Sequence, residues 1–344
     1  MQDFQGKLEK LKSRRQDLLT KSFSLNESFS RSNYNENTLY ALEVMEPIDK
    51  NYTENTYKQV ERVKNQLKPA LKAYGIDVDF EFQGSVPTNT HIKLYSDIDL
   101  LTIHQKFFTL QYPLTPQFRY DGDIIADLKE LRGKSFKILD TVFSACDIDN
   151  SGGKAIQISG GSLNRKIDIV ACNWHNTPKY IETKDADYRG INILDNKNNT
   201  TLINYPFMHI YQINTKDLQV DGNEKRLIRL LKSIKVDADQ EIKISSYDIA
   251  SLVFRMDNSE LRIPQINRLK LLNNCNFFLK RVIANFSFRN SLNVANDTRK
   301  IFCEEGAKVE DLIKLNQELE SLIASITKEL KYSFQTLENS YIIY

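Results

Sequence analysis

The amino-acid sequence predicts an α+β protein in which a mixed β-sheet occupies the first half and helices occupy the second half. After about residue 216, leucine and isoleucine recur at three- and four-residue steps, a spacing typical of amphipathic helices. Before that point, short segments alternate apolar and polar residues, which is typical of half-buried strands. The predicted division is a core with N-terminal helices over residues 1–215 and a helical C-terminal domain over residues 216–344. The predicted strands are 78–83, 97–103, 155–158 and 166–171.

The composition excludes several classes of protein. The 344 residues suffice for two domains, and 41% hydrophobic residues with only 12 Gly and 8 Pro exclude a disordered or collagen-like chain. Lys and Arg number 47 against 45 Asp and Glu, so the basic excess of a polynucleotide-coating protein is missing. We therefore expect no stable polynucleotide binding. The four cysteines are scattered and form no CxxC pair, which argues against a zinc site.

The sequence also predicts a cytoplasmic protein without membrane contact. No apolar run approaches the roughly 20 residues of a membrane span. Residues 1–19 are rich in charged side chains and lack the apolar core of a signal peptide.

Helices are predicted in both halves. Residues 1–20 read as a charged helix, and residues 21–38 as a loop rich in Ser and Asn. A helix over residues 53–74, with Thr53 as its N-cap, aligns apolar side chains on one face. Gly160-Gly161 suits a hairpin turn, because glycine accepts positive φ at little cost. The second-half helices are predicted at 224–235, 247–256, 269–284 and 308–339.

Two carboxylates on one predicted strand form the most informative pattern. Residues i and i+2 of a strand point to the same face, roughly 7 Å apart, so Asp97 and Asp99 would face one site. Ile98 and Leu100 would then point into the core. Adjacent anions repel each other, and their oxygens are the hard ligands that Mg²⁺ prefers.

A turn and a third carboxylate extend this pattern. Gly84 would let a phosphate approach the backbone, and the Ser85 hydroxyl and exposed N–H groups would hold it. Asp168 lies on a later predicted strand with Ile167 and Ile169 on the opposite face. A DxD pair alone is more often a solvated surface feature. The ordered set indicates nucleotidyl transfer, in which two metal ions flank the attacking and leaving oxygens.

The chain resembles a known family at these residues. Gln83-Gly84-Ser85 followed by Asp97-Ile98-Asp99 is similar to the polymerase-β-type nucleotidyltransferase signature. Further runs, together spanning about residues 40–255, resemble the bacterial cGAS/DncV-like nucleotidyltransferases (CD-NTases). The resemblance implies a polymerase-β-like mixed-sheet core, a helical domain of the oligoadenylate-synthase type and an active site in the cleft between them. The runs are Met45–Ile48, Tyr205–His209, Asn223–Lys232 and Ser245–Asp248.

The resemblance implies an activity and its metal ions. CD-NTases make cyclic di- or trinucleotide second messengers from NTPs, usually in a phage-defence (CBASS-type) operon whose other genes encode regulators or effectors. By motif, Asp97, Asp99 and Asp168 would hold two Mg²⁺ ions, for which Mn²⁺ could substitute. Asp168 would also help to activate the attacking ribose hydroxyl.

The resemblance also implies nucleotide contacts. Gln83 and Ser85 would contact donor triphosphate oxygens, with Gly84 between them. In the helical half, Lys232 would neutralise phosphate and Ser246 would hydrogen-bond it. Tyr247 would stack on a base, an interaction worth roughly 1–3 kcal/mol in single-strand binders.

Each second-half assignment has an alternative. Lys232 lies in a cluster of basic residues of which most are expected on a solvated helix face. Tyr247 could be a core aromatic, and Ser245 could hold the role given to Ser246.

Two other functions remain open from the sequence. The same site could serve another acceptor, in a linear oligoadenylate maker, a tRNA or poly(A) end-adding enzyme, or a toxin that modifies protein or RNA. A non-catalytic binding protein with a degenerate fold is disfavoured, because all three carboxylates are present.

Overall fold

The computed structural model describes residue 6, residues 35–92 and residues 97–341, without the side chains of Asn164 and of residues 332–341. The chain divides into two compact units. The sheet unit comprises Ile48–Asn89 and the described residues within Ser96–Asn214. The helical unit comprises the described residues within Met1–Pro47, Thr90–Tyr95 and Thr215–Tyr344.

The break at Thr215 lies beside the boundary at residue 216 used in the sequence analysis. The described residues up to Pro47, however, group with the helical unit, whereas the predicted core included residues 1–47. The helix predicted over residues 1–20 lies outside the described residues apart from Gly6, which is helical.

The first helix of the helical unit, α1 (Glu36–Met45), overlaps the end of a predicted loop. Its Tyr40 is fully buried, and the Tyr40 hydroxyl donates a hydrogen bond to Asp237 Oδ2 at 2.8 Å. These non-local contacts explain why local sequence patterns did not predict the helix.

The sheet unit contains seven strands within the described residues, in one mixed sheet. The strands are β1 (Val78–Gln83), β2 (Ile98–Leu110), β3 (Asp147–Asp149), β4 (Ile156–Gly160), β5 (Leu163–Asn176), β6 (Gly190–Asp195) and β7 (Thr200–Asn204). β1, β2, β5, β4 and β3 lie in that order, while β6 pairs with the later part of β5 and β7 pairs with β6. β2 and β5 run parallel, and every other neighbouring pair is antiparallel.

One face of this sheet carries a large apolar cluster, and the alternate residues of the same strands contribute to a smaller one. The side chains of Ile98, Leu100 and Ile167 are fully buried, and Ile169 is nearly so, as the period-two pattern predicted. They belong to one apolar cluster with side chains of α2 (Lys50–Ala73) and α3 (Ile124–Val142). Burying each aliphatic side chain stabilises the fold by about 1.5–3 kcal/mol. The apolar face therefore fixes the direction in which the intervening polar residues point.

Two local predictions need correction and one is confirmed. Helix α2 begins at Lys50 and is capped by Asp49, not by Thr53. The Asp49 carboxylate accepts hydrogen bonds from the N–H groups of Asn51 and Tyr52, which satisfies two otherwise unpaired donors of the first turn. The Gly160-Gly161 turn joins β4 to β5 with φ values of +76° and +57°, as predicted.

The four helices predicted in the second half are confirmed, with no end shifted by more than two residues. None of the described helices is long and apolar enough to cross a membrane. The 215 boundary falls within the helix Pro206–Gln219. The remaining helices are α4 (Pro178–Thr183), α5 (Pro206–Gln219), α6 (Asn223–Asp237), α7 (Ser246–Phe254), α8 (Asn258–Leu261), α9 (Lys270–Ala284), α10 (Phe286–Ser291) and α11 (Val309–Tyr341).

Candidate active site

A row of polar side chains crosses four neighbouring strands of the sheet. The register places Gln83 of β1 opposite Asp99 of β2, Asp99 opposite Asp168 of β5, and Asp168 opposite Gln157 of β4. Residues directly opposite one another on adjacent strands project from the same face of the sheet. The structure therefore brings Asp99 and Asp168 side by side, with an amide side chain on each flank.

The third predicted carboxylate, Asp97, precedes β2 and has a different neighbour. Its Oδ2 lies 3.3 Å from Lys166 Nζ, and both side chains are more than one-third exposed. Within the described parts of the chain, no three His, Cys, Asp or Glu side chains converge on one point as a metal site would require. Asp97 thus forms an ion pair with Lys166 and does not complete a three-carboxylate cluster with Asp99 and Asp168.

The carboxylates of the row carry unbalanced negative charge. Burial, followed by the charges of Asp168 and Asp97, raises the pKa of Asp99 to about 7. Burial also raises the pKa of Asp168 to about 6; Asp97 adds to that increase, while Lys166 and a hydrogen bond from Gln157 oppose it. Asp168 Oδ1 is buried without a hydrogen-bond partner, which costs about 1–3 kcal/mol. An all-oxygen set of repelling carboxylates with one unsatisfied oxygen fits a divalent cation such as Mg²⁺.

The turn after β1 lies against the same carboxylate. Gly84 has φ of +84°, and a Cβ built on it would lie 2.6 Å from Asp99 Oδ2. Only glycine fits here, because any side chain would both strain the backbone and displace Asp99. The half-buried Ser85 accepts a hydrogen bond from Thr88 Oγ1 through its carbonyl oxygen at 3.2 Å.

Gln83, predicted as a triphosphate contact, has neighbours of its own within the protein. It lies opposite Asp99 and lowers the pKa of that carboxyl, which favours the charged form. Its Oε1 accepts a hydrogen bond from Asn204 Nδ2 at 3.3 Å. Contact with a triphosphate stays a prediction for Gln83 and Ser85.

Lys232 lies in the helical unit and is deeply buried. It is 3% exposed, and its Nζ donates a hydrogen bond to the Thr90 carbonyl oxygen at 2.7 Å. Burial, with smaller contributions from Lys235 and Arg229, lowers the pKa of Lys232 to about 7. Arg229 is also buried and donates from Nε to the Met45 carbonyl oxygen. The cluster was expected mostly on a solvated face, yet these two cations point inward.

The start of α7 distinguishes the two adjacent serines. The Ser245 hydroxyl caps the helix, accepting from Asp248 N at 3.0 Å and donating to Asp248 Oδ2 at 2.7 Å. Ser246 is the first residue of the helix, and both serines are exposed. The Ser246 hydroxyl is thus the one that does not form the cap, at a helix N-terminus that favours anions.

Tyr247 is partly buried in the same unit. Its hydroxyl donates to Asn296 Oδ1 at 2.8 Å, and the Arg299 guanidinium lies 5.5 Å from the ring centroid. Burial raises the pKa of this hydroxyl to about 12. The polar end is therefore anchored, and stacking on a base stays a prediction for the ring.

Sequence reasoning missed three residues at the carboxylate row. Lys166 was within reach of the period-two argument, because it lies two residues before Asp168 on the same strand. Gln157 and Asn204 left no such signal. Their places depend on strand register and on a contact between residues 121 positions apart.

Comparison with known proteins identifies relatives along most of the chain. No protein-family model matches it. It is 34% identical over 323 residues to the cyclic dinucleotide synthase CdnE of Yersinia aleksiciae, covering 91% of this chain and 83% of the relative. It is 31% identical over 340 residues to a c-di-GMP synthase of Capnocytophaga granulosa, covering 92% and 94%.

A solved structure agrees with these matches. The STING-associated CdnE c-di-GMP synthase from Capnocytophaga granulosa has a TM-score of 0.78 and 29% sequence identity with this chain. The alignment covers 95% of this chain and 99% of that one. The mixed sheet carries neighbouring carboxylates, and a glycine turn packs against one of them. Together with this site, these similarities show that the chain belongs to the cGAS/DncV-like nucleotidyltransferase (CD-NTase) family.

Proposed function

We propose that this protein joins two NTPs into a cyclic dinucleotide second messenger, with GTP as substrate and c-di-GMP as product. The observation that carries the nucleotidyl-transfer reaction is the half-buried Asp99–Asp168 pair with Gly84 packed against Asp99. The choice of a dinucleotide and of guanine is supported by two relatives, named a cyclic dinucleotide synthase and a c-di-GMP synthase.

The carboxylates would hold Mg²⁺, with Mn²⁺ as a substitute. Asp97, Asp99 and Asp168 are the proposed ligands, with Asp97 released from Lys166. When bound, two such ions would neutralise phosphate charge and make the attacking ribose hydroxyl more acidic.

Activation of the attacking ribose hydroxyl is assigned to Asp168, through the ion that it would help to hold. Its buried Oδ1 has no hydrogen-bond partner and would be available to that ion.

The phosphate and base contacts are assigned as the family resemblance implies. Backbone N–H groups at Gly84 and the Ser85 hydroxyl would hold donor phosphate oxygens, because glycine leaves the backbone open. In the helical unit we assign Lys232 to phosphate charge, Ser246 to a phosphate hydrogen bond and Tyr247 to base stacking. Lys232 would gain its proton most readily when phosphate is present, because burial disfavours the ammonium form alone.

We place the protein in the cytoplasm, where its NTP substrates are abundant, in a phage-defence (CBASS-type) pathway. The solved relative is STING-associated, which supports an effector that binds the cyclic dinucleotide as the downstream partner.

The test is incubation of the purified protein with each radiolabelled NTP and Mg²⁺, followed by phosphatase and mass spectrometry. We expect GTP alone to yield a phosphatase-resistant species with the mass of c-di-GMP, and none from Asp99→Ala. A mixed-base or trinucleotide product would correct the substrate assignment. Label transferred to protein or RNA would contradict cyclic nucleotide synthesis.

A further inference from the structure

A loop over residues 293–300 is attached to helix α7, the helix whose first turn carries the proposed base-stacking residue. Near the middle of the helix, the Ala295 N–H donates a hydrogen bond to Ser251 Oγ at 3.1 Å. At the start of the helix, Arg299 Nη2 donates to Asp248 Oδ1 at 2.7 Å. Loop and helix both belong to the helical unit, and the loop is thereby attached to α7 at both of these points.

The guanidinium of Arg299 is held in place by two partners. Besides the bond to Asp248, its Nη1 donates to the Lys300 carbonyl oxygen at 2.9 Å. The Asp248 side chain is only 3% exposed, so water screens this ion pair less than one on the surface. The other oxygen of the Asp248 carboxylate accepts from the Ser245 hydroxyl that caps α7. Arg299 therefore has a fixed place relative to the first turn of α7.

The hydroxyl bond of Tyr247 does not fix the plane of its ring. Tyr247 Oη donates to Asn296 Oδ1 at 2.8 Å, and this oxygen lies on the axis about which the ring turns. Rotation about that axis, the χ2 angle, leaves the oxygen in place, and the χ2 preference of an aromatic side chain is broad. A contact with the face of the ring is needed to select one plane.

Arg299 is the cation at this ring. Its Cζ atom lies 5.5 Å from the centroid of the Tyr247 ring, within the range of a cation–π interaction. The face of an aromatic ring is electronegative and its edge is electropositive, so this attraction depends on the plane of the ring. Because Asp248 holds the guanidinium, the attraction favours one ring plane. Stacking on a base requires a ring whose plane matches that of the base.

We propose that Arg299 is a positioning residue of the nucleotide site, which fixes the plane of the Tyr247 ring and so prepares it to stack on a nucleotide base. The inference rests on the base-stacking role given to Tyr247 in the proposed function. Arg299 acts through the ring and contributes to binding of the base, not to binding of the phosphates.

The test measures binding of two ligands by calorimetry in Arg299→Met. The first is α,β-methylene GTP, in which the bond that nucleotidyl transfer breaks is replaced by a stable one. The second is inorganic tripolyphosphate, which has no base. We expect Arg299→Met to weaken binding of the GTP analogue about fivefold, the lower end of what one stacked base contributes, and to change tripolyphosphate binding by less than about twofold. Equal losses for both ligands, or no loss for the analogue, would overturn the proposal.

A double-mutant cycle tests whether the effect passes through the ring. In a Tyr247→Ala background no ring remains to be oriented, so Arg299→Met should change affinity for the GTP analogue by less than about twofold. Equal losses in the two backgrounds would contradict the positioning role. Unchanged affinity in Tyr247→Ala alone would remove the stacking role on which the inference rests. A wild-type protein that bound no GTP analogue would overturn the proposed nucleotide site itself.

The matched control is Arg255→Met. Arg255 donates to the carbonyl oxygens of Asn293 at 2.8 Å and Val294 at 2.7 Å, in the same loop but without contact to Tyr247. Its side chain is 25% exposed, against 31% for Arg299. We expect both variants to lower Tm, and only Arg299→Met to weaken binding of the GTP analogue. Equal weakening in both would show that attachment of the loop, not the ring plane, sets the affinity, and would overturn the proposal.

Discussion

Burial shifts the pKa values of the carboxylate row in the sheet unit and of Lys232 in the helical unit in opposite directions. Burial raises the pKa of Asp99 and lowers that of Lys232, so each group is driven toward its neutral form. Both groups also have like charges nearby, but in the row one Asp168 oxygen has no hydrogen-bond partner. Lys232 instead has a carbonyl oxygen as its partner. The row thus fits the cation that we propose, whereas the lysine already has a partner and would have to exchange it to bind the phosphate that we propose.

The largest effect is expected from Asp99→Asn. The amide keeps the shape of the side chain but removes a charge that a metal ion would balance. We expect nucleotidyl transfer to fall by roughly a thousandfold, since a metal ion contributes several kcal/mol to the transition state. The measurement is turnover with saturating Mg²⁺ and NTP. Turnover within tenfold of wild type would remove Asp99 from the proposed metal site.

Gly84→Ala should follow, because its Cβ meets Asp99 Oδ2 in a backbone with positive φ. We expect about a hundredfold lower turnover and a loss of about 1–2 kcal/mol in the free energy of unfolding. The control is Gly133→Ala in α3, where a Cβ would meet nothing within 4 Å. That change should stabilise the protein by up to about 1 kcal/mol without lowering turnover. Equal turnover in the two variants would refute the close approach at residue 84.

Lys232→Met tests the phosphate role proposed for the buried lysine of the helical unit. The substitution removes a buried cation and leaves its apolar stem, so the nucleotide-free protein should be at least as stable as wild type. We expect NTP binding, measured by calorimetry, to weaken about tenfold through loss of a charge-assisted contact. Lys235→Met is the neighbouring control and should change affinity by less than about threefold. Unchanged NTP affinity in Lys232→Met would leave Lys232 with a structural role only.

The smallest effect is expected at Tyr247. Tyr247→Ala should weaken nucleotide binding by about 1–3 kcal/mol through lost stacking. Tyr247→Phe keeps the ring but loses the bond to Asn296, and should lower stability by about 1 kcal/mol with little change in affinity. A large loss of stability in Tyr247→Ala with unchanged affinity would favour the core alternative.

The sequence predicted what depends on local periodicity. Asp97, Asp99 and Asp168 were found because period-two strands place their apolar neighbours in the core. Gln157 and Asn204 were not, because Gln157 meets Asp168 through strand register and Asn204 meets Gln83 through a long-range contact.

In the helical unit, the burial of Lys232 was missed for a different reason. α6 is buried on most of its circumference, from Leu227 to Ile234, so its amphipathic pattern did not reveal which cations point inward. Helix α1 was missed because it is stabilised by distant partners such as Asp237.

The central claim is that Asp99 and Asp168 repel each other in the folded protein and that a divalent cation relieves this repulsion. The most direct test compares the free energy of unfolding of wild type and Asp99→Asn from pH 4 to pH 8, in EDTA and in Mg²⁺. A carboxyl whose pKa rises from 3.8 to about 7 on folding stabilises the folded state at low pH, and this stabilisation is lost as pH rises through 7.

In EDTA, we therefore expect wild type to lose stability relative to Asp99→Asn between pH 4 and pH 7, by on the order of 3 kcal/mol. Mg²⁺ should restore most of the loss in wild type and leave Asp99→Asn unchanged. A difference between the two proteins that stays constant with pH, or an equal gain from Mg²⁺ in both, would contradict the account.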